Sequence, residues 1–341
     1  VLPDIPVCAA LLALFLAAAA ANVAIFRRNR GRGHKFLFSA LLAAFCVARA
    51  AALALRCAWA VDPRSVRLGI AAQIFTAAGV VILFVTNLVF AQRVVRACHP
   101  FFGWRRAVTG GFGVLFGSAV GVLVAVVTAT VHGFFEPDGS EAKAVDRMVQ
   151  LVCGTYLALY AFLPVVLCAL AVLVPGKYKI DKFGEGRFRT KVALLIFTAS
   201  LLALGAGSRA AVAHYTRPLS DPAWFHSKVC YYLFNFGLEL VVVITYAASR
   251  FDKRFHIPDG SSGPWHYSNS WQDDDGGDGA VELAEVPSSP SPVAKTPTAQ
   301  SPAESMHTAV SAASSVYATL RSGTSLVSDE DWPSATQAMV S

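Results

Sequence analysis

The chain has 341 residues, of which 55% are hydrophobic and only 15% charged, with a formal net charge of +7. That length suits about two soluble domains, but the charges are confined to short stretches between apolar runs, each able to cross a hydrocarbon core that takes roughly 20 helical residues. The basic excess therefore points to membrane orientation and anionic lipid rather than to nucleic acid.

In chain order the apolar runs predict helices at about 6–26, 36–60, 68–91, 108–132, 148–174, 192–213 and 229–249. The fold class expected is an all-α membrane protein, a bundle of seven transmembrane helices spanning residues 1–250. Orientation follows from the loops. Loop one carries Arg27, Arg28, Arg30, Arg32 and Lys35; loop three carries Arg93, Arg96, Arg105 and Arg106; loop five carries Lys177, Lys179, Lys182, Arg187, Arg189 and Lys191. Those loops hold fifteen cations, against six in the even loops (Arg64, Arg67, Lys143, Arg147, Arg217 and Lys228). Cytosolic loops collect Lys and Arg, so the amino terminus is expected outside and the carboxyl terminus in the cytosol. The chain opens with Val, and no basic stretch precedes the first apolar run, so no cleavable signal peptide is expected.

Small residues recur every four positions on helix four (Gly113, Gly117, Gly121) and on helix six (Ala203, Gly207). Such faces let backbones approach closely; packing inside the bundle is the expectation, and a sliding or dimer surface the alternative. Pro164 removes a backbone hydrogen bond from helix five and predicts a kink there. Cys8, Cys57, Cys153 and Cys230 fall near outer helix ends, where the favoured reading is small buried hydrophobes and a disulfide is the minor one. Cys98, beside a basic loop, is a palmitoylation candidate.

Charges at membrane depth cost about 2.5–3.5 kcal/mol each on insertion scales, so they need partners or water. Arg49 lies midway along helix two, with Arg56 two turns on and on the same face. Arg209 lies in the outer third of helix six. Glu239 lies near the middle of helix seven, with Asn235 one turn away and Tyr232 and Tyr246 on the same stripe. At ~1.5 Å per residue Arg49 and Glu239 reach the midplane together, so an ion pair between them is expected if their helices touch. Arg56 and Arg209 are left without an acidic partner. Three arginines against one glutamate suggest an outward-facing cationic pocket built from Arg49, Arg56, Arg209, Asn235 and Glu239 for a carboxylate, a phosphate or a lipid head; snorkelling to the interface is the competing reading. Asn22 and Asn87 are expected to hydrogen-bond across helices.

Catalytic signatures are missing. The eight histidines are scattered, with no HExxH and no paired spacing, and no phosphate loop follows a strand. No catalytic residue is nominated, no metal or cofactor is expected, and an enzyme is the least favoured class. Helix seven has no lysine for a retinal Schiff base.

Residues 251–341 are expected to be a cytosolic tail, mostly disordered: from 259 they are rich in Ser, Thr, Pro, Gly and Asp, with little to bury. Ser289, Ser291, Thr296 and Ser301 each precede proline, and Ser328 precedes Asp329, Glu330 and Asp331. These five are phosphorylation candidates through which cytosolic partners of the tail could be switched.

Several strings carry a likeness: Arg32-Gly33-His34-Lys35-Phe36, Ile70 to Phe75, Asn87 to Arg93, Trp224 to Lys228, Tyr232 to Phe236 with Glu239, and above all Arg250-Phe251-Asp252-Lys253-Arg254-Phe255-His256-Ile257-Pro258-Asp259-Gly260. Together they resemble a fungal family of seven-helix membrane proteins with no assigned function. The likeness spans most of residues 1–268 and ends where Trp265 stands in place of a small residue; the tail lies beyond it. The pattern of helices six and seven is loosely similar to fungal lipid-translocating exporter-like proteins, and the topology resembles that of Pth-type receptor-like proteins. These likenesses imply a fungal origin and supply no ligand or reaction.

The expectation is thus an integral membrane protein of the plasma membrane or an endomembrane, in contact with membrane lipids. Its leading role is a receptor-like sensor of a small anionic or lipid ligand, signalling through cytosolic loops and tail. A transporter or lipid-translocating protein is the runner-up, and a membrane scaffold the third reading.

Overall fold

The structure, a computed structural model, describes residues 4–31, 36–62, 64–136, 139–176, 178–215, 227–258 and 261–268. The phosphorylation candidates Ser289, Ser291, Thr296, Ser301 and Ser328 lie outside them. Among the described residues there are helices and no strand.

Seven helical segments are long and apolar enough to cross a membrane. They are α1 (Asp4–Gly31), α2 (Leu37–Val61), α3 (Val66–Cys98), α5 (Arg106–Phe135), α6 (Glu141–Leu173), α7 (Phe188–His214) and a last span made of α8 (Lys228–Tyr232), a π-helical turn (Leu233–Gly237) and α9 (Leu238–Ala248). The short α4 (Pro100–Gly103) links α3 to α5, and the short α10 (Phe251–Arg254) follows the last span. This is a multi-pass membrane architecture. Several helices extend past their expected ends, α3 and α6 the furthest: α3 carries Arg93 and Arg96 within its last turns, and α6 starts a full turn and more before residue 148, capped by Ser140, whose hydroxyl accepts from Lys143 N at 3.2 Å. Pro164 sits inside α6, which is helical on both sides of it.

α3 is the pivot. In its most apolar stretch 61% is buried, against 17% for α1, 22% for α5 and 28% for α6, and it touches α2, α5, α6 and α7. The outer helices therefore leave much of their apolar surface facing outward, as lipid-exposed helices do.

The small-residue faces depart from expectation. A Cβ placed on Gly113, Gly117, Gly121 or Gly207 would find no atom within 4 Å. These glycines do not mediate packing inside the bundle; they lie on its open surface. The close approach comes two residues earlier on α7. A Cβ on Gly205 would stand 2.8 Å from the carbonyl oxygen of Phe234 in the π-helical turn, so only a bare Cα admits that turn.

At the basic end, the chain beyond residue 250 does not leave the bundle at once. Arg250 takes a left-handed conformation (φ 52°), which ends the last span and turns α10 back underneath it. Phe251, Phe255 and Tyr267 are buried; Phe255 stacks on Phe90 at 4.5 Å between centroids, and Tyr267 packs on Trp104 and Phe183. Arg93 donates to the Phe255 carbonyl, and Asn29 donates to Asp252 at 3.0 Å. Gly184 (φ 56°) presses against the backbone of Arg254, where Glu185 N–H donates to Lys253 O at 3.0 Å and the two side chains pair at 3.2 Å. The expected tail boundary at 251 is thus corrected: residues 251–258 and 261–268 belong to the packed body, held by aromatic side chains that an average over a polar segment conceals.

Candidate functional site

A polar centre forms where α2, α3, α7 and the last span meet. Arg49, fully buried, is its hub. Its Nη2 donates to Glu239 Oε1 at 2.6 Å, and its Nε lies 2.6 Å from Glu239 Oε2 as an ion-pair contact without hydrogen-bond alignment. Its Nη1 donates to the Thr76 carbonyl on α3 at 2.6 Å. Phe45 and Phe236 flank the guanidinium at 5.4 and 5.5 Å, offering their ring faces to its charge. Gly79 faces the guanidinium, where a Cβ would make ordinary contact at 3.6 Å. The expected Arg49–Glu239 pair is thus present, and Gly79 and Thr76 are contributors the sequence pattern did not single out.

Arg209 is not partnerless. Its Nη1 reaches Glu239 Oε1 and Asn235 Oδ1, both at 3.4 Å. Two arginines therefore share one carboxylate. They are unequal: Arg49 is 0% exposed, whereas the Arg209 side chain is 29% exposed and reaches the centre from its edge.

The π-helical turn places these groups. Leu238 N–H donates to Leu233 O, five residues back rather than four. Asn235 Nδ2 donates to Tyr231 O at 2.9 Å, while its Oδ1 faces Arg209. The turn thus sets Asn235, Phe236 and Glu239 against α2 and α7 together. Such turns inside α-helices recur at functional sites.

Arg56 lies two turns from Arg49 along α2, toward the end remote from the basic loops. Among the described residues it meets no carboxylate. Nε donates to Tyr232 OH at 3.1 Å and Nη1 to Tyr231 OH at 3.0 Å, and the guanidinium lies 4.4 Å over the Tyr231 ring. Tyr232 OH also contacts Cys8 Sγ at 3.2 Å. The structure thus brings Arg49, Arg209, Asn235 and Glu239 into direct contact and holds Arg56 on a tyrosine clamp beside them.

The two asparagines divide. Asn87 accepts from Tyr246 OH, which also meets Thr198 Oγ1 at 2.9 Å, so three spans are tied. Asn22 instead donates to Ala18 O of its own helix at 2.9 Å, which corrects the expected cross-helix bond. Among the described residues no group of three or more His, Cys, Asp or Glu is placed to hold a metal ion. A cavity of about 360 Å³ lined by Lys182, Gly184, Glu185 and Ser268 opens at the basic end, away from this centre.

Residues 184–256 match a family described as "Protein of unknown function (DUF3112)". The matched stretch runs from Gly184 through α7 and the last span to His256, so it includes Arg209, Asn235 and Glu239 but not Arg49 or Arg56. Its two ends are the segments clipped together at Gly184 and Arg254. The match is shorter than the likeness read along residues 1–268. No curated protein and no solved structure matches the chain, so the exporter-like and receptor-like resemblances find no support there.

Proposed function

We propose that this chain is a receptor-like membrane sensor whose ligand presents a phosphate or carboxylate to Arg209 and Arg56. The observation that carries the reading is one carboxylate shared by two arginines, the second of them 29% exposed. Arg49 is neutralised by Glu239. Arg209 then brings an excess positive charge, and Arg56, held among the described residues by tyrosines, brings another. An anionic group offsets a charge that is costly at membrane depth. Arg209, gripping Glu239 at 3.4 Å against 2.6 Å for Arg49, is the arm free to turn toward it. That turn withdraws a partner from Asn235 and loads the π-helical turn, which joins through α9 to α10 and the clip at the basic end. Non-catalytic action without a cofactor belongs to this reading, as does an amino terminus outside the cytosol.

The test is thermal unfolding in lipid nanodiscs with inorganic phosphate, citrate, and phosphatidic acid or phosphatidylserine doped into phosphatidylcholine. The expected result is a stabilisation by at least one anion that Arg209→Ala abolishes and Arg56→Ala weakens. The reading is overturned if every shift is the same in wild type and both variants.

A second reading, a transporter or lipid-translocating protein, is favoured by the break in the last span, since interrupted helices near the midplane line many translocation routes. Lipid scrambling or anion flux in proteoliposomes that collapses in Arg49→Ala, with ligand-induced stabilisation absent, would favour it over the sensor.

A further inference from the structure

Two cysteines beside the tyrosine clamp belong to neither reading. Cys8 lies on α1, fully buried, with its Sγ 3.2 Å from Tyr232 OH. Cys57 lies on α2, directly after Arg56, and is half-buried. α1 and α2 are antiparallel neighbours that pack along their length. Cys8 stands 23 residues before Gly31 and Cys57 stands 20 residues after Leu37, so the two come level to within about 5 Å at ~1.5 Å per residue. Cys8 Sγ and Arg56 Nε meet on the same Tyr232 hydroxyl, which brings Cys57, the next residue of α2, beside Cys8. Two cysteines at one level of adjacent packed helices are placed where a short side-chain movement can close a disulfide.

We propose that Cys8 and Cys57 are a redox-active dithiol that closes a disulfide between the first two spans on the side remote from the basic loops. By the charge bias of the loops, that side faces a non-cytosolic compartment, where disulfides form and persist. The oxidant is a low-molecular-weight disulfide such as oxidised glutathione. The half-buried Cys57 gives up its proton and attacks one sulfur of the reagent, forming a mixed disulfide and expelling one thiolate. Cys8 then gives up its proton and attacks Cys57 Sγ, expelling the second thiolate. Two protein thiols are oxidised, one reagent disulfide is reduced to two thiols, and the two released protons balance the two thiolates. Closure removes the Cys8 S–H and leaves the Tyr232 hydroxyl to Arg56, so the pair's oxidation state is read at the tyrosine clamp. The inference holds whether or not an anion binds at the arginines.

The test uses the full chain in nanodiscs, prepared without reductant and then equilibrated with oxidised glutathione. Free thiols are alkylated and the protein is digested and analysed by mass spectrometry. The expected result is a linked peptide pair containing Cys8 and Cys57, lighter by two hydrogens than the separate peptides, with alkylation lost at both positions and restored by dithiothreitol. In Cys8→Ser the exchange should stall, leaving glutathione on Cys57. Full alkylation of both cysteines, or glutathione retained on Cys57 in the wild type, overturns the proposal. So does linkage of either cysteine to Cys153 or Cys230. A cooperative melt of each sample shows that the reacting species is folded.

Discussion

At the scale of single residues, the polar centre is asymmetric, and stability should report it. Arg49→Ala leaves the almost fully buried Glu239 only the 3.4 Å contact to Arg209, a loss that approaches the about 3–5 kcal/mol of removing one partner of a buried pair. Arg209→Ala leaves Glu239 held by Arg49 at 2.6 Å and removes only the longer 3.4 Å contact at the edge of the centre, so it should cost much less. Thermal melts in nanodiscs should therefore rank wild type and Arg209→Ala close together, with Arg49→Ala far below; equal losses would refute the hierarchy. Much of this centre was legible in the sequence. Depth arithmetic pairs Arg49 with Glu239 because both side chains lie near the midplane and helix rise is fixed. The same arithmetic left Arg209 alone, because it locates Cα atoms, and a long guanidinium stem reaches across a turn to Asn235 and Glu239. Arg56 misled for a related reason. A search for carboxylates passes over tyrosine hydroxyls and ring faces, although Tyr232 sat in the string already singled out and Tyr231 directly precedes it.

At the scale of elements, the last span is one helix in sequence and two in structure. Its π-helical turn depends on a neighbour, Gly205, whose bare Cα admits the Phe234 carbonyl. Gly205→Ala should destabilise by roughly 1–3 kcal/mol, as added methyl groups do in tight contacts, whereas Gly207→Ala should change the melt by less than ~0.5 kcal/mol. The reverse order would show that the turn is not seated on Gly205. Periodicity could not find this turn. A spacing-of-four rule selects Gly207, and one added residue per turn leaves the apolar pattern of a short span almost unchanged. The local signals were Asn235, which covers a carbonyl of the preceding turn, and Gly237. The stripe Gly113, Gly117 and Gly121 illustrates the converse: the spacing was real, but a face suited to close packing needs a partner, and this bundle presents none to it.

At the scale of the whole molecule, seven spans were readable because hydrocarbon thickness fixes helix length, and the loop charges gave the expected orientation. The end of the body was not readable, because Phe251, Phe255 and Tyr267 are few among polar neighbours and find their burial against rings outside their own segment: Phe36, Phe90, Trp104, Phe183 and Tyr246. A chain ending at residue 268 should melt like the full chain. One ending at residue 250 should lose a large part of its stability, at roughly 1.5–3 kcal/mol for each fully buried aromatic. Equal melts for the two truncations would place these residues outside the cooperative body. The ion pair at the core has a further consequence, in time rather than space. Arg49 enters the bilayer with α2, but its carboxylate lies 190 residues later in the chain. At about 5–20 residues per second of synthesis, the arginine waits on the order of 10–40 s for Glu239 to arrive. Until the final span inserts, the nascent protein carries an unneutralised guanidinium in lipid, so the last helix to be made is the one that completes the first half of the bundle. A chain interrupted before it remains marked as unfinished by that exposed charge.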